Sequence, residues 1–161
     1  MCQHLHYKRW TQLENDNFES IWITLFPKTL PRQVANITIA GIYHPPNSNH
    51  TELKDHICIC VDSITQKHPN TGWMIAGDFN QFPDRYIYAT LSIKQIVDKP
   101  TQNKSTLDKV YTTLKQYYHT AEILPHIGSS DHNAILCKPL DNPPTNKGRN
   151  VRNLTRIYGK K

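Results

Sequence analysis

The sequence predicts an α/β chain built around a mixed sheet, and three stretches carry that prediction. Residues 19–26 and 34–43 are rich in β-branched and aromatic side chains and are joined by a short connection holding Pro27 and Pro31. That is the pattern of two neighbouring antiparallel strands. Next, Leu53, Ile57, Cys60 or Val61, and Ile64 recur at helical spacing and give one apolar face. Trp73-Met-Ile-Ala-Gly77 then reads as a short strand buried on both faces. Strand, helix and strand in that order predict a crossover, with the helix covering one face of the sheet.

Taken in order, residues 1–17 are polar and without a clear period, and Leu13 to Asn17 reads as a turn. Glu19–Phe26 is the first strand, and Pro27–Arg32 the connection. Val34–Tyr43 is the second strand, stopped by His44-Pro45-Pro46, where two prolines cannot extend a ladder. Asn49-His-Thr51 opens the helix, with Asn49 or Thr51 as N-cap and Glu52 and Asp55 in the first turn, where a carboxylate suits the helix dipole. His68–Gly72 ends it. After the buried strand comes a loop, Asp78–Asp84, and then Arg85–Leu91 as a short helix. Ile93–Val97, Thr106–Thr113, His119–Leu124 and Ala134–Cys137 read as further strands, separated by polar loops at 98–105 and 125–132. From Asp141 the chain has linker chemistry. The organisation expected is a polar N-terminal segment (1–17), one domain (18–140) and a basic linker or tail (141–161).

At 161 residues the chain suffices for one domain with a real core, although only 37% of it is hydrophobic and eleven prolines indicate many loops. No run of 18 apolar residues predicts a membrane span, and the first ten residues do not form a signal peptide, so an intracellular, nuclear or cytoplasmic location is expected. The net charge of +6 is uneven: cations and acids cancel up to residue 145. Residues 146–161 hold Lys147, Arg149, Arg152, Arg156, Lys160 and Lys161 with no acid. Such a tail either solubilises or binds the phosphates of DNA or RNA. The four cysteines form no CxxC pair, and Cys58 and Cys60 point apart on a helix, so reduced structural thiols are expected. Cys2, His4 and His6 make only a weak metal-binding pattern.

The polar chemistry gathers at strand ends. Asp78 and Asn80 follow the buried strand two residues apart, and share one side if strand geometry continues that far. Tyr43 ends the second strand, Asp108 lies in Thr106-Leu-Asp-Lys-Val110, and Asp131 and His132 fall in Ser129-Ser-Asp-His132. Each has a plain reading. Asp78 could make an Asx turn, Asp108 could pair with Lys109 on the surface, and His132 could be a surface histidine. Together, convergent carboxylates, an amide and an imidazole are what metal-assisted phosphodiester hydrolysis needs, and oxygen donors suit Mg²⁺ or Mn²⁺.

Ile42-Tyr-His-Pro-Pro46, Gly77-Asp-Phe-Asn80, Thr101 with Thr106-Leu-Asp108, and Ser129-Ser-Asp-His132, in this order, resemble the exonuclease–endonuclease–phosphatase superfamily. They resemble most the endonuclease domain of animal non-LTR (LINE-type) retrotransposon polyproteins, over residues 18–138. The resemblance implies a partial four-layer α/β/β/α sandwich with mixed, mostly antiparallel sheets. It implies that Asp78 aligns or deprotonates the attacking water, while Asn80 positions it. His132 would stabilise the phosphate, Asp108 would orient His132, Tyr43 would bond a phosphate oxygen, and Asp131 would sit beside the metal. Such family members begin with a strand carrying an Asn and a strand ending in a metal-binding Glu. Their absence here implies the C-terminal part of the domain, lacking its first strands. The expected function is divalent-metal-dependent hydrolysis of DNA, impaired by truncation; the alternative is a catalytically inactive nucleic-acid-binding remnant.

Overall fold

The computed structural model describes residues 5–14, 16–142 and 144, with the side chain of Thr90 excepted. Cys2, His4, Asn15 and the basic tail therefore lie outside the described residues. A six-stranded mixed sheet carries the fold, in the order β1-β2-β3-β4-β6-β5. Its strands are β1 (His6–Arg9), β2 (Glu19–Phe26), β3 (Asn36–Tyr43), β4 (Thr71–Asp78), β5 (Lys94–Gln95) and β6 (Asp108–Thr112). Helices α1 (His50–Lys67) and α2 (Asp84–Thr90) cover one face. A separate antiparallel pair, β7 (Glu122–Leu124) and β8 (Ala134–Leu136), packs on the other.

The expected crossover is present. β2 and β3 are antiparallel, and β3 runs parallel to β4 through α1. Asn49 caps α1, its side chain accepting from Thr51 N at 2.9 Å and Glu52 N at 3.3 Å. Leu53, Ile57, Cys60, Val61 and Ile64 are all buried, and they meet Trp22, Ala40, Ile42, Trp73 and Ile75 from the sheet. The Thr24 and Thr38 hydroxyls, both fully buried, are bonded to each other at 2.9 Å and reach Trp10 Nε1 and Thr71 Oγ1. These hydroxyls are thus satisfied in a chain across three strands, whereas the buried Asn36 Oδ1 has no partner among the described residues.

Three expectations need correcting. The N-terminal segment is not featureless: His6–Arg9 pairs antiparallel with β2, and Trp10 is fully buried in the core. Tyr7, Lys8 and Arg9 stay exposed, as edge strands often are, which hides the strand from any hydrophobic period. Residues 93–97 supply only a two-residue strand, because Ile93, Ile96 and Val97 turn into the core instead of alternating along a ladder. Finally, β4 is not buried on both faces throughout. Trp73 and Ile75 are buried towards the helices, whereas Met74 and Ala76 are half-buried against the β7–β8 side.

Candidate active site

One row of residues across the sheet sets the site. Cα register places Glu19 opposite Tyr43, Tyr43 opposite Asp78, and Asp78 opposite Asp108. Residues in register share a face. On β4 that face also carries Met74 and Ala76, and on β6 it carries Val110, all packed towards β7–β8. Tyr43, Asp78 and Asp108 therefore stand side by side at one end of the sheet.

Gly77 lets β4 reach that position. Its φ is +150°, and a Cβ there would lie 1.8 Å from the Ile42 carbonyl oxygen of β3. Only a residue without a Cβ tolerates that approach. Beyond Asp78 the backbone turns at once. Phe79 is fully buried, and Asn80 has φ 45° in the left-handed region. Strand geometry does not continue to Asn80, so the alternation argument for it fails. What holds instead is an Asx turn, in which Asn80 N donates to Asp78 Oδ1 at 3.1 Å. The Asn80 amide, 8% exposed, donates one hydrogen to the His44 carbonyl at 2.8 Å, tying this loop to the end of β3. Asp78 thus makes the turn and stands in the row at once.

His132 comes from the β7–β8 loop. Its Nδ1–H donates to Asp108 Oδ2 at 2.8 Å, and its Nε2 lies 4.0 Å from Asp131 Oδ1. The Asp108 hydrogen bond is the main reason the imidazole is held above its usual value; partial burial opposes it, and the charges of Asp108, Asp78 and Asp131 add to it. Asp108 does not pair with Lys109. Lys109 points to the opposite face, where its buried Nζ bonds Asp84 Oδ1 at 2.6 Å and the Phe82 carbonyl at 3.0 Å. Tyr111 donates to the same carboxylate oxygen at 2.7 Å. This cluster clamps the start of α2, and with it the loop that leaves Asp78.

Two further residues build the site. Thr101 is fully buried, and its Oγ1 accepts from both Leu107 N and Asp108 N at 3.1 Å. Its carbonyl accepts from Asn133 N at 2.8 Å. It therefore fixes Asp108 from one side and the His132 loop from the other. Gln102 Nε2 donates to Asp131 Oδ2 at 2.6 Å, although Asp131 is 81% exposed. The motif series includes Thr101 but gives it no role, and no sequence signal marks Gln102 or the Lys109 cluster. On the other side of Tyr43, His44 Nε2 and His50 Nδ1 are 2.8 Å apart. His44 is held below its usual value, first by burial and then by His50, with Asp78 opposing.

Asp78 and Asp131 offer hard oxygen atoms of the kind Mg²⁺ and Mn²⁺ take. Among the described residues, however, no group of three His, Cys, Asp or Glu side chains converges to hold an ion. The described residues thus form no closed metal cage. The residues fit an ion that keeps most of its ligands as water and substrate oxygens, which is common for Mg²⁺.

No family model matches the chain, and no curated protein matches it. Solved structures do. The endonuclease domain of TRAS1, a telomere-specific non-LTR retrotransposon, matches with a TM-score of 0.65 at 16% identity, over 86% of this chain and 70% of that one. The human Nocturnin catalytic domain matches with a TM-score of 0.55 at 18% identity, over 83% of this chain and 58% of that one. The chain thus spans less than two thirds of the Nocturnin domain. At such identities the likeness is one of fold, and the fold is that of the exonuclease–endonuclease–phosphatase superfamily. No helix among the described residues is long and apolar enough to cross a membrane.

Proposed function

We propose that this chain is a nucleic-acid phosphodiesterase that cuts DNA internally with the help of Mg²⁺ or Mn²⁺. The observation that carries the reading is the Asp108–His132 hydrogen bond, at 2.8 Å, on the strand next to Asp78 and in the same row. In the proposed reaction a water oxygen attacks phosphorus, and Asp78 orients that water and accepts its proton. The P–O bond to the leaving oxygen breaks, and that oxygen takes a proton from solvent. His132 donates through Nε2 to a phosphate oxygen as negative charge develops. Its raised pKa keeps it cationic further towards neutral pH than an ordinary histidine. Asp108, by accepting the Nδ1 hydrogen, orients the ring so that its protonated Nε2 faces outward. Tyr43, 39% exposed, reaches the same side and donates to a phosphate oxygen. Asn80 is a positioning residue, because an amide hydrogen is committed to the His44 carbonyl. Asp131 and Asp78 are the oxygen donors a divalent ion would meet, and that ion would offset phosphate charge.

Nicking of supercoiled plasmid with Mg²⁺ or Mn²⁺ tests this. The expectation is cleavage that falls about 10²-fold or more in Asp78→Ala and in His132→Ala, with circular dichroism showing both variants folded. Equal cleavage by wild type and variants would refute the assignment. A second reading, phosphate binding without hydrolysis, is favoured by the lack of a three-ligand group among the described residues. It predicts no metal-dependent nicking, together with DNA binding that weakens steeply with salt as counterions are released.

A further inference from the structure

We propose that Gln102 is a positioning residue that keeps Asp131 off His132, so that the carboxylate stays open to a divalent ion and the imidazole to a phosphate. The inference rests on the roles given to those two residues under the proposed function. Asp131 has two neighbours with competing claims. Its Oδ2 accepts from Gln102 Nε2 at 2.6 Å, while its Oδ1 stops 4.0 Å from His132 Nε2. The second separation is too long for a hydrogen bond. Asp131 is 81% exposed, and a carboxylate so exposed rotates freely unless a bond holds it. Beside a cationic imidazole it would otherwise close to a charge-assisted contact of about 2.7–2.9 Å. A closed pair would occupy both groups with each other. The Nε2–H would no longer face a phosphate, and the Asp131 charge would be offset where an ion needs it.

Gln102 can hold Asp131 because its own backbone is fixed. Thr101 N and Gln102 N donate to the Ser105 carbonyl at 2.9 and 3.1 Å, and Ser105 N returns a bond to the Gln102 carbonyl at 2.8 Å. Asn103, with φ 50°, supplies the left-handed residue of this tight turn. The same turn grips the His132 loop a second time, since the Thr101 carbonyl accepts from Asn133 N at 2.8 Å. Residues 101 and 102 thus fasten the neighbours of His132 on both sides, Asp131 and Asn133.

The chemistry of the donor matters as much as its place. A carboxamide turns its NH₂ to a carboxylate, and it does so without charge. A lysine or arginine here would also hold Asp131, but its positive charge would oppose the arrival of a cation. An asparagine would fall about 1.5 Å short, the length of one C–C bond.

Two affinities of the full chain test this. Inorganic phosphate, added without metal, is followed by the ring resonances of His132 at fixed pH. Mn²⁺, added without phosphate, is followed by the electron paramagnetic resonance of the unbound ion. Gln102→Met keeps the length of the side chain and removes the donor. It is expected to weaken phosphate binding about fivefold, the strength of an exposed ion pair between Asp131 and His132. Mn²⁺ binding should weaken about tenfold, as when a metal-binding carboxylate loses its hydrogen-bond partner. Asp131→Ala should weaken Mn²⁺ at least as much, yet tighten phosphate, because a negative charge beside it is gone. Gln102→Met combined with Asp131→Ala should bind phosphate as Asp131→Ala does, because Gln102 acts through Asp131. A merely structural Gln102 predicts instead a loss that persists without Asp131. That persistent loss, or wild-type affinities in Gln102→Met, would overturn the proposal. Gln102→Asn should behave as Gln102→Met and serves if that variant fails to fold. Failure of the parent reading looks different. Phosphate that leaves the His132 resonances unmoved, or Mn²⁺ bound equally well by Asp131→Ala, would remove the roles themselves and overturn the inference with them.

Discussion

Replacing Thr101 by Val should destabilise the protein by about 2 kcal/mol and loosen the pairing of Asp108 with His132. Thr101 is fully buried, and its hydroxyl is the acceptor for two backbone N–H groups, those of Leu107 and Asp108. Valine keeps the shape and removes the oxygen. Each orphaned donor costs about 1–3 kcal/mol when buried; Leu107 and Asp108 are half-buried, so about 1.5 kcal/mol each is apt. A methyl group in place of the hydroxyl returns about 0.8 kcal/mol, leaving a loss near 2. With a urea slope of about 1–3 kcal/mol per molar, the unfolding midpoint should move down by about 1 M. Thr101→Ser keeps the oxygen and should lose less than half as much. Because Asp108 N is one of the orphaned groups, the carboxylate that holds His132 should also lose its fixed position. The NMR titration of His132 should then shift back towards an ordinary histidine in Thr101→Val but not in Thr101→Ser. A Val variant as stable as wild type, or a Ser variant as damaged as Val, would refute the argument that the hydroxyl acts as a backbone acceptor.

Other expectations follow from the same geometry. The raised pKa of His132 means that the folded state binds its proton more tightly than the unfolded state does. Its contribution to stability is therefore complete below the unfolded value of about 6.5 and is lost as pH rises through the folded value. Asp108→Asn should flatten that part of the stability–pH curve, and an unchanged curve would show that His132 is not the titrating group. In the nicking assay the rate contributed by cationic His132 should fall over the same rise in pH. Gly77→Ala should cost more than about 3 kcal/mol, since a Cβ 1.8 Å from the Ile42 carbonyl forces β3 and β4 apart; a thermal midpoint within a few degrees of wild type would contradict this. Lys109→Met should cost about 2–3 kcal/mol by removing charged hydrogen bonds to Asp84 and the Phe82 carbonyl. The loss should shrink in an Asp84→Asn background, as a double-mutant cycle would reveal.

Local patterns made some of this legible in the sequence. The helix could be read because its apolar residues recur at one period and Asn49 is a strong cap, and both are local properties. The β2–β3 pair and the parallel β3–β4 crossover could be read because run length and connection length constrain them. β1 could not, because an edge strand whose residues are all exposed has no hydrophobic period. Nor could the side on which Lys109 lies. Alternation along 106–113 is weak, and a lysine on an inward position looks like a surface charge until Asp84, 25 residues earlier, is seen beneath it. For Asn80, strand alternation is the wrong guide, because its backbone has left the strand. The left-handed turn, not continued strand geometry, brings it back towards β3.

The polar row is well formed although, among the described residues, Ile21, Ile23, Leu25, Ile37 and Ile39, on the β7–β8 side of β2 and β3, form a patch that is only half-buried or exposed. Tyr43, Asp78 and Asp108 are held by ladder pairing among β3, β4 and β6, and by Gly77, whose close approach to Ile42 lies within that ladder. His132 and Asp131 are held by bonds to Asp108, Thr101 and Gln102, with Asn133 N on the Thr101 carbonyl. All of these lie on the half of the sheet that β7 and β8 cover, or at its boundary. None requires a contact from the Ile21–Ile39 patch. Geometry at the site and packing of that patch are therefore separable, and substitutions should separate them. Ile39→Asp should leave the Asp108–His132 pairing, read by the His132 titration, as it is in the wild type. Thr101→Val should disturb that titration without altering the apolar patch. If instead Ile39→Asp shifts the His132 titration as much as Thr101→Val does, the two halves of the sheet are coupled and the separation argued here fails.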